Sequence, residues 1–248
     1  MVVARLTLLA VLAIVDGKRA GFSEAYTQRN LAAAAREQEA EGNLQPTAIS
    51  VKEAAKEGNV AALKAHKEAG VDLGAPLNSQ GMTVAHYAAW FGHAAALRFL
   101  AEVGVNFEAK AWRGGKGTDW FVGWTPAHLA ARYDHVEAMR ALSKAGADLE
   151  AADKYGETPA HVAASYDRPA VLHFLKQAGA DLEVADNEGN TPIHKAAYFG
   201  KAAAVRFLIQ AGVNVKALNK LREPPVNVAS DSTVMQMLLQ ASRARRAR

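Results

Sequence analysis

The apolar positions of this chain recur in blocks that share one pattern. Each block carries a short stretch built around a pair of alanines and then a longer stretch built around a larger apolar pair. The alanine pairs stand at 88–89, 130–131, 163–164 and 196–197, and the second pairs at 99–100, 141–142, 174–175 and 207–208. Apolar residues at helical spacing predict two amphipathic helices in each block. The alanines predict a small face on the first helix, to which a neighbouring helix can come close.

The blocks also share a start signal and a stop signal. The start signals are Thr83-Val-Ala-His86, Thr125-Pro-Ala-His128, Thr158-Pro-Ala-His161 and Thr191-Pro-Ile-His194. Threonine is a common N-cap, and proline has its φ already set for a first helical turn. The glycines that follow the second helices, at 104, 146, 179 and 212, keep the spacing of the threonines, which is 42, 33 and 33 residues. Two independent markers at one spacing predict a tandem repeat.

The threonine-proline-x-histidine phrases resemble the signature of the ankyrin repeat family, T-P-L-H-x-A at a period of 33. The resemblance implies an all-α solenoid of helix-turn-helix units with short β-hairpin fingers. One unit cannot bury both of its helices alone, so the units stack. We count about six units in residues 49–241, with the first (50–75) and the last (from Pro224) eroded. The residues assigned to the repeat structure are His86, Thr125, Pro126, His128, Thr158, Pro159, His161, Thr191, Pro192 and His194.

The four histidines of these phrases form a column that resembles a ladder of metal ligands. Neighbouring helices in a stack lie about 8–10 Å apart, whereas zinc needs nitrogens at about 2.0–2.1 Å. We therefore predict neutral imidazoles that bond to the backbone at the turn between units, as the resemblance also implies. His93 and His135, which follow the first helices, are expected to be solvated.

One column of the repeat carries a conformational prediction. Glycine closes the first helix at positions 58, 92 and 200, but Asp134 and Asp167 stand in the same column. Aspartate is one of the few non-glycine residues that tolerate the left-handed region. We predict a positive φ at both aspartates.

The 42-residue step exceeds the period by nine residues and indicates an insertion. The surplus lies within residues 111–121, which lengthen one finger, contain a glycine-rich tip and place Trp120 where other fingers begin with Asp or Asn. Three of the four tryptophans fall within 13 residues here. Such a loop either grips a partner or folds its rings back onto the adjacent unit, and both interpretations stay open.

Aromatic residues recur just before the end of each first helix. In a stack this column would cross the units on the concave side, where rings offer a large contact area at low entropic cost. Rings at these positions can equally pack on their neighbours in the stack. The predicted partner-binding residues are Trp90, Phe91, Trp112, Arg113, Trp120, Phe121, Trp124, Tyr133, Tyr155, Tyr166, Tyr198 and Phe199.

The N-terminal region allows two interpretations. Residues 1–17 contain a run, Leu6 to Val15, that is apolar apart from Thr7. Such a run rises about 15 Å as a helix, half of a bilayer core, so no transmembrane span is predicted. The run suits a signal peptide, which implies the secretory pathway, or a hydrophobic helix on the folded domain of a cytoplasmic protein. Residues 18–48 are predicted to form a helix and a linker.

The charge of the chain has one local source. The net charge of +4 comes from the tail, residues 242–248, which holds four arginines and no acid; the remainder has 25 basic and 25 acidic residues. A neutral body argues against nucleic acid as a partner. A polyanion-binding protein is the alternative, acting through the tail and a basic column on the second helices: Lys64, Arg98, Arg140, His173 and Arg206.

The sequence contains no recognisable catalytic or metal-binding motif. The chain has no cysteine, which excludes thiolate metal sites and a thiol nucleophile. It also lacks the serine-hydrolase, Walker A and zinc-protease phrases. We therefore predict no catalysis, no cofactor and no metal. The expected function is protein binding by a monomer, and an exported structural scaffold is a further alternative.

Overall fold

A computed structural model describes residues 49–112 and 121–244 of the protein. Within those ranges the chain forms eleven α-helices and no strand. The first helices of the successive pairs are α1 (Val51–Glu57), α3 (Val84–Trp90), α5 (Pro126–Arg132), α7 (Pro159–Ser165) and α9 (Pro192–Tyr198). The second helices are α2 (Val60–Glu68), α4 (Ala94–Glu102), α6 (Val136–Lys144), α8 (Pro169–Gln177), α10 (Ala202–Ala211) and α11 (Ser232–Ala244).

Several segments that carry predictions lie outside the described residues. They are the signal peptide or helix at 1–17, the helix and linker at 18–48, Arg113 and Trp120 of the insertion, and the tail from Arg245. Across the described ranges no helix is long and apolar enough to cross a membrane.

Equivalent helices of neighbouring units lie side by side, which gives one layer of first helices and one layer of second helices. The alanine pairs of the first helices, including Ala54-Ala55 of the first unit, have no exposed surface. A leucine of each of the first five second helices is equally buried: Leu63, Leu100, Leu142, Leu175 and Leu208. Methyl groups on one helix and leucines on the other let the layers pack closely, and the predicted all-α solenoid is confirmed.

The described fingers are turns and not the β-hairpins that the sequence predicted. In the finger from Asp153 to Glu157, the Asp153 N–H donates to the Glu157 carbonyl at 2.9 Å and closes the loop. The Asp153 Oδ1 atom accepts the N–H groups of Tyr155 and Glu157 at 2.7 and 2.9 Å. Asp186 and Asn219 organise later fingers in the same way. Because a side chain uses these N–H groups, no strand ladder forms.

The last unit has no first helix. In its place Pro224 begins a single turn, closed by the Asn227 N–H donating to the Pro224 carbonyl at 2.9 Å. Helix α11 then begins at Ser232, three residues earlier than position 235, which lies one period after Ala202 of α10. The predicted erosion of this unit is confirmed, and α9 is the last helix of the first layer.

Both aspartates at the ends of first helices have the predicted left-handed backbone. The φ angle is 63° at Asp134 and 57° at Asp167, against 64–77° for the glycines of that column. The Asp167 carboxylate also accepts the N–H of Ala204 in the next unit at 2.7 Å. This bond compensates for the strained backbone and is one that glycine could not make.

Arg222 adopts the left-handed region without such a bond. Its φ is 62° at the tip of the last finger, where Gly81, Gly156 and Gly189 stand in other fingers with φ of 78–80°. The side chain is exposed. The strain therefore lies in the backbone alone.

Arg222→Gly is expected to raise the free energy of unfolding by up to about 1 kcal/mol, because the left-handed strain of roughly 1–2 kcal/mol exceeds the entropic cost of glycine. The matched control is Arg222→Ala, which removes the same side chain but keeps Cβ and should give no gain. Urea unfolding followed by circular dichroism measures both variants. Equal stability of the two would contradict the strain at this position.

Candidate functional site

One histidine in each well-formed unit bridges to the finger that precedes the next unit. Nδ1 of His128 accepts the backbone N–H of Thr125 at 3.1 Å and lies 2.9 Å from the threonine hydroxyl. Nε2 of the same ring lies 2.9 Å from the carbonyl oxygen of Glu157. Because a carbonyl oxygen only accepts, Nε2 carries the proton and the ring is a neutral tautomer.

The bridge recurs in three further units. The distances from Nε2 to the carbonyl oxygen are 3.1 Å for His86 to Trp124, 2.9 Å for His161 to Asn190 and 3.1 Å for His194 to Glu223. All four rings are buried. The predicted role of these histidines, as neutral rings that bond to the backbone between units, is confirmed.

A second set of bridges lies at the start of the second helices. His135 is half-buried, and its Nε2 donates to the carbonyl of Trp90 in the preceding unit at 3.0 Å. Equivalent bonds run from His93 to Lys56 at 2.6 Å and from Arg168 Nε to Arg132 at 2.9 Å. These carbonyls belong to the last turn of a first helix, where no intrahelical donor is left.

The expectation that His93 and His135 are solvated is therefore wrong. Each satisfies a helix end of the unit before it. The signal that would have found this role is periodic: a side chain with a nitrogen donor stands at 93, 135 and 168.

Neighbouring fingers are joined by single backbone bonds, which also locate the insertion. The bonds run from Trp112 to Gln80 (3.0 Å), Lys154 to Val122 (3.4 Å), Asn187 to Tyr155 (2.9 Å) and Lys220 to Glu188 (3.0 Å). Trp112 and Val122 thus take the places that Lys154 and Tyr155 take in the next finger. The nine residues between them, 113–121, are the surplus, and they leave this ladder intact.

Ala111 closes the base of the long finger. Its N–H donates to the Trp124 carbonyl at 2.9 Å, which is the bond that Asp153 makes to Glu157. Ala111 therefore stands where other fingers begin with Asp or Asn, and the assignment of that place to Trp120 is wrong. Alanine has no side-chain oxygen that could accept the N–H groups of the turn, in contrast to Asp153.

A charge cluster ties two fingers to α9. Lys195 Nζ lies 2.6 Å from Glu157 Oε1 and 2.8 Å from Asp186 Oδ2. Burial acts to lower the pKa of Lys195, but the two carboxylates outweigh it and the pKa is raised. Burial likewise acts to raise the pKa of Asp186, and the lysine reverses this and holds it below its ordinary value. The positive charge of Lys195 is neutralised within the fold, and the cluster keeps a net charge of −1.

The first helices and the fingers form one side of the stack, which we call the aromatic face. Five of the rings assigned to it from the sequence are largely exposed: Phe91 (45%), Trp112 (58%), Tyr155 (47%), Tyr198 (60%) and Phe199 (47%). Four are half-buried: Trp90, Phe121, Tyr133 and Tyr166. Contiguous exposed apolar patches on proteins are often interaction sites.

The half-buried rings pack on one another across units. The centroid of Trp90 lies 5.8 Å from that of Tyr133 and 5.9 Å from that of Phe121, at one end of the insertion. Trp112, at the other end, lies against Gly81, where a Cβ would come 2.4 Å from the ring. One end of the long finger therefore packs onto the stack, while the other end presents a ring to solvent.

Trp124 does not belong to the aromatic face. Its side chain is 3% exposed, and its Nε1–H donates to Asp153 Oδ2 at 3.1 Å. The ring centroid lies 5.8 Å from that of His128. The prediction that Trp124 contacts a partner is therefore wrong, because this tryptophan fills the core at the base of the finger.

The chain matches family models over most of its length. The model described as ankyrin repeats (many copies) matches residues 51–101, and the model described as ankyrin repeats (3 copies) matches residues 114–186 and 169–245. The chain belongs to the ankyrin repeat family. Ankyrin repeats are generally protein–protein interaction modules, and the family is typically non-catalytic. A search of curated proteins found no match.

The histidine column of this ankyrin repeat protein is engaged in hydrogen bonds. Both nitrogens of each bridging ring have a partner, as His128 shows, so neither has a lone pair left for a metal. In the part of the chain that the structure describes, no group of three or more His, Asp or Glu could hold a metal ion.

Burial also lowers the pKa values of these rings. It lowers the pKa of His86 and His128 from 6.5 to about 4, and it lowers the pKa of His161 and His194. Protonation would turn Nδ1 into a donor that faces another donor, the threonine N–H. The ankyrin stack therefore requires neutral histidines.

The free energy of unfolding is expected to fall as the pH falls from about 6.5 towards 4, because unfolded histidines bind protons that the folded rings exclude. Each ring contributes a slope of at most about 1.4 kcal/mol per pH unit. His128→Gln keeps one acceptor and one donor but does not titrate, so urea unfolding should show a shallower pH slope than in the wild type. An unchanged slope would show that this bridge is not coupled to the proton.

Proposed function

We propose that this chain is a non-catalytic module that binds a protein partner on its aromatic face. The observation that carries the proposal is the exposure of Phe91, Tyr198 and Phe199 in two adjacent columns of a regular stack. Large rings at the centre of an interface are frequent binding hot spots. Stacking does not require a ring at position 198, since Ser165 occupies the same column as Tyr198.

The rings are held in place before any partner arrives. Each lies at the end of a first helix whose last carbonyls are satisfied by the next unit, as the bond from His135 to Trp90 illustrates. Binding to a preorganised surface loses less conformational entropy. A rigid stack that presents rings therefore suits tight binding better than flexible loops would.

The long finger extends the proposed surface. Trp112 at its base is exposed and adjoins the fingers, and Arg113 and Trp120 follow it in the sequence. We include these residues in the contact area, with the protein acting as a monomer.

The basic column on the second helices provides a matched control surface. Arg98 and Arg206 are exposed there, whereas Arg140 is 3.5 Å from Glu137. If the chain bound a polyanion instead, this outer surface would carry the affinity, and binding would weaken steeply with salt.

Random peptides displayed on phage, selected on the purified protein, supply ligands for the test. Phe91→Ala and Phe199→Ala are each expected to weaken the selected peptides by about tenfold or more, because a hot-spot ring loses its contact area. Fluorescence polarisation measures the Kd, and circular dichroism verifies the fold.

The controls are Arg98→Ala and Arg206→Ala on the second helices, which should leave the Kd unchanged. Peptides that are weakened by the outer variants and not by the ring variants would contradict the proposed surface and favour a polyanion-type site.

A further inference from the structure

Arg132 lies at the end of α5, in the middle of the aromatic face, and is surrounded by rings. Its guanidinium carbon is 4.5 Å from the ring centroid of Tyr166, 5.1 Å from that of Phe121 and 5.4 Å from that of Tyr133. These distances are those of cation–π contacts. The rings come from the residue that caps α5, from the following unit and from the end of the long finger, so three parts of the stack position one cation.

Within the described ranges the guanidinium has no hydrogen-bond acceptor of its own. Among the described residues no carboxylate or carbonyl oxygen pairs with the Arg132 side chain, in contrast to Lys195, which two carboxylates neutralise. The Arg132 side chain is half-buried and none of its nitrogens is sealed from solvent. Five N–H donors in a planar fork therefore have no partner among the described residues.

The first helices next to Arg132 carry no acidic residue. Of the five first helices only α1 carries acids, Glu53 and Glu57; α3, α5, α7 and α9 have none. Beyond the ends of α5 and α7 stand Asp134 and Asp167, and the Asp167 carboxylate bonds to the N–H of Ala204 in α10.

Other cations of this face repeat the arrangement. Lys52 and Lys56 lie over the Tyr87 ring, 5.6 and 6.0 Å from its centroid, and Lys154 lies 4.7 Å from the centroid of Tyr155. None of the three lysines has an ion pair within the described ranges. Several rings on this side of the stack therefore have a cation beside them for which the described residues supply no ion pair.

We propose that Arg132 receives a carboxylate of the partner, so that the bound segment is acidic and places an Asp or Glu beside an apolar side chain. This inference rests on the proposed function and specifies the chemistry of the partner. A guanidinium held by rings presents its fork to a carboxylate in the bidentate geometry that is strongest for this pair. The apolar neighbour would pack on Trp90 and Tyr133.

The geometry favours a carboxylate over a phosphate and a peptide over a nucleic acid. A phosphate carries up to two charges and is ordinarily met by a cluster of arginines, whereas Arg132 is a single fork. Bases bind by stacking on open ring faces, whereas Trp90 is already stacked with Phe91 and Tyr133, at 6.0 and 5.8 Å.

The test selects random displayed peptides on the full chain and compares three variants. Arg132→Met keeps the aliphatic bulk between the rings but removes the charge, Arg132→Lys keeps the charge without the fork, and Arg98→Met removes an equal charge from the outer surface. We expect the selected peptides to be acidic and to lose about tenfold or more in affinity on Arg132→Met. The loss should be smaller on Arg132→Lys and absent on Arg98→Met.

A second measurement varies the peptide on two forms of the protein. Each acidic residue of a selected peptide is replaced by its amide, and the Kd is measured on wild type and on Arg132→Met. One replacement should weaken binding to the wild type and have no further effect on Arg132→Met, which is the signature of a direct pair.

The outcomes separate the two proposals. Neutral or basic peptides that are weakened by Phe91→Ala and Phe199→Ala but not by Arg132→Met would overturn the acidic partner and leave the aromatic face in place. Peptides that none of these variants weakens would overturn both. Binding of a fluorescein-labelled oligothymidine that is lost on Arg132→Met would also overturn the inference, because the occupant would then be a nucleic acid.

Discussion

A neutral imidazole with two opposite roles holds each joint between the well-formed units. Nδ1 of His128 accepts from its own unit, and Nε2 donates to the finger that leads into the next one. Only the neutral ring can do both at once. The finger carbonyl has no other side-chain donor in this arrangement, so each unit completes its polar contacts through its neighbour as well as burying its alanines against it. The contact that stabilises a unit is therefore also the contact that joins it to the next unit.

Further ladders run parallel to this one and determine what is left for function. Donors such as His135 satisfy the ends of first helices, and backbone bonds such as that from Asn187 to Tyr155 join the fingers. Together they satisfy the polar groups at the joints. The side chain at the last position of each first helix therefore takes no part in these bonds. The residues in that position differ widely, from Trp90 to Ser165. The backbone of the stack is fixed, and the residue type in this column is what varies from unit to unit.

Periodicity made the fold predictable, and its limits explain the errors. The left-handed aspartates and the bridging histidines follow from residues that recur at fixed spacing, so a single sequence suffices. The described fingers form no strand ladder because side chains such as Asp153 accept their N–H groups, a competition that the family resemblance does not express. The start of the long finger was misplaced at Trp120 because the insertion hid its register, which the bond from Ala111 reveals. Exposure of a ring depends on contacts between units, which spacing alone does not contain.

The cation at Arg132 shows how a regular stack can create an irregular site. Its rings come from Tyr133 on the same helix end, from Tyr166 one unit later and from Phe121 at the end of the insertion. No single unit contains this arrangement, so it exists only when the units are in register. A carboxylate bound there would contact a residue whose position is set by three segments at once. Binding at Arg132 would then stabilise the joints around it, because a ligand that requires the stacked state favours that state over any frayed one.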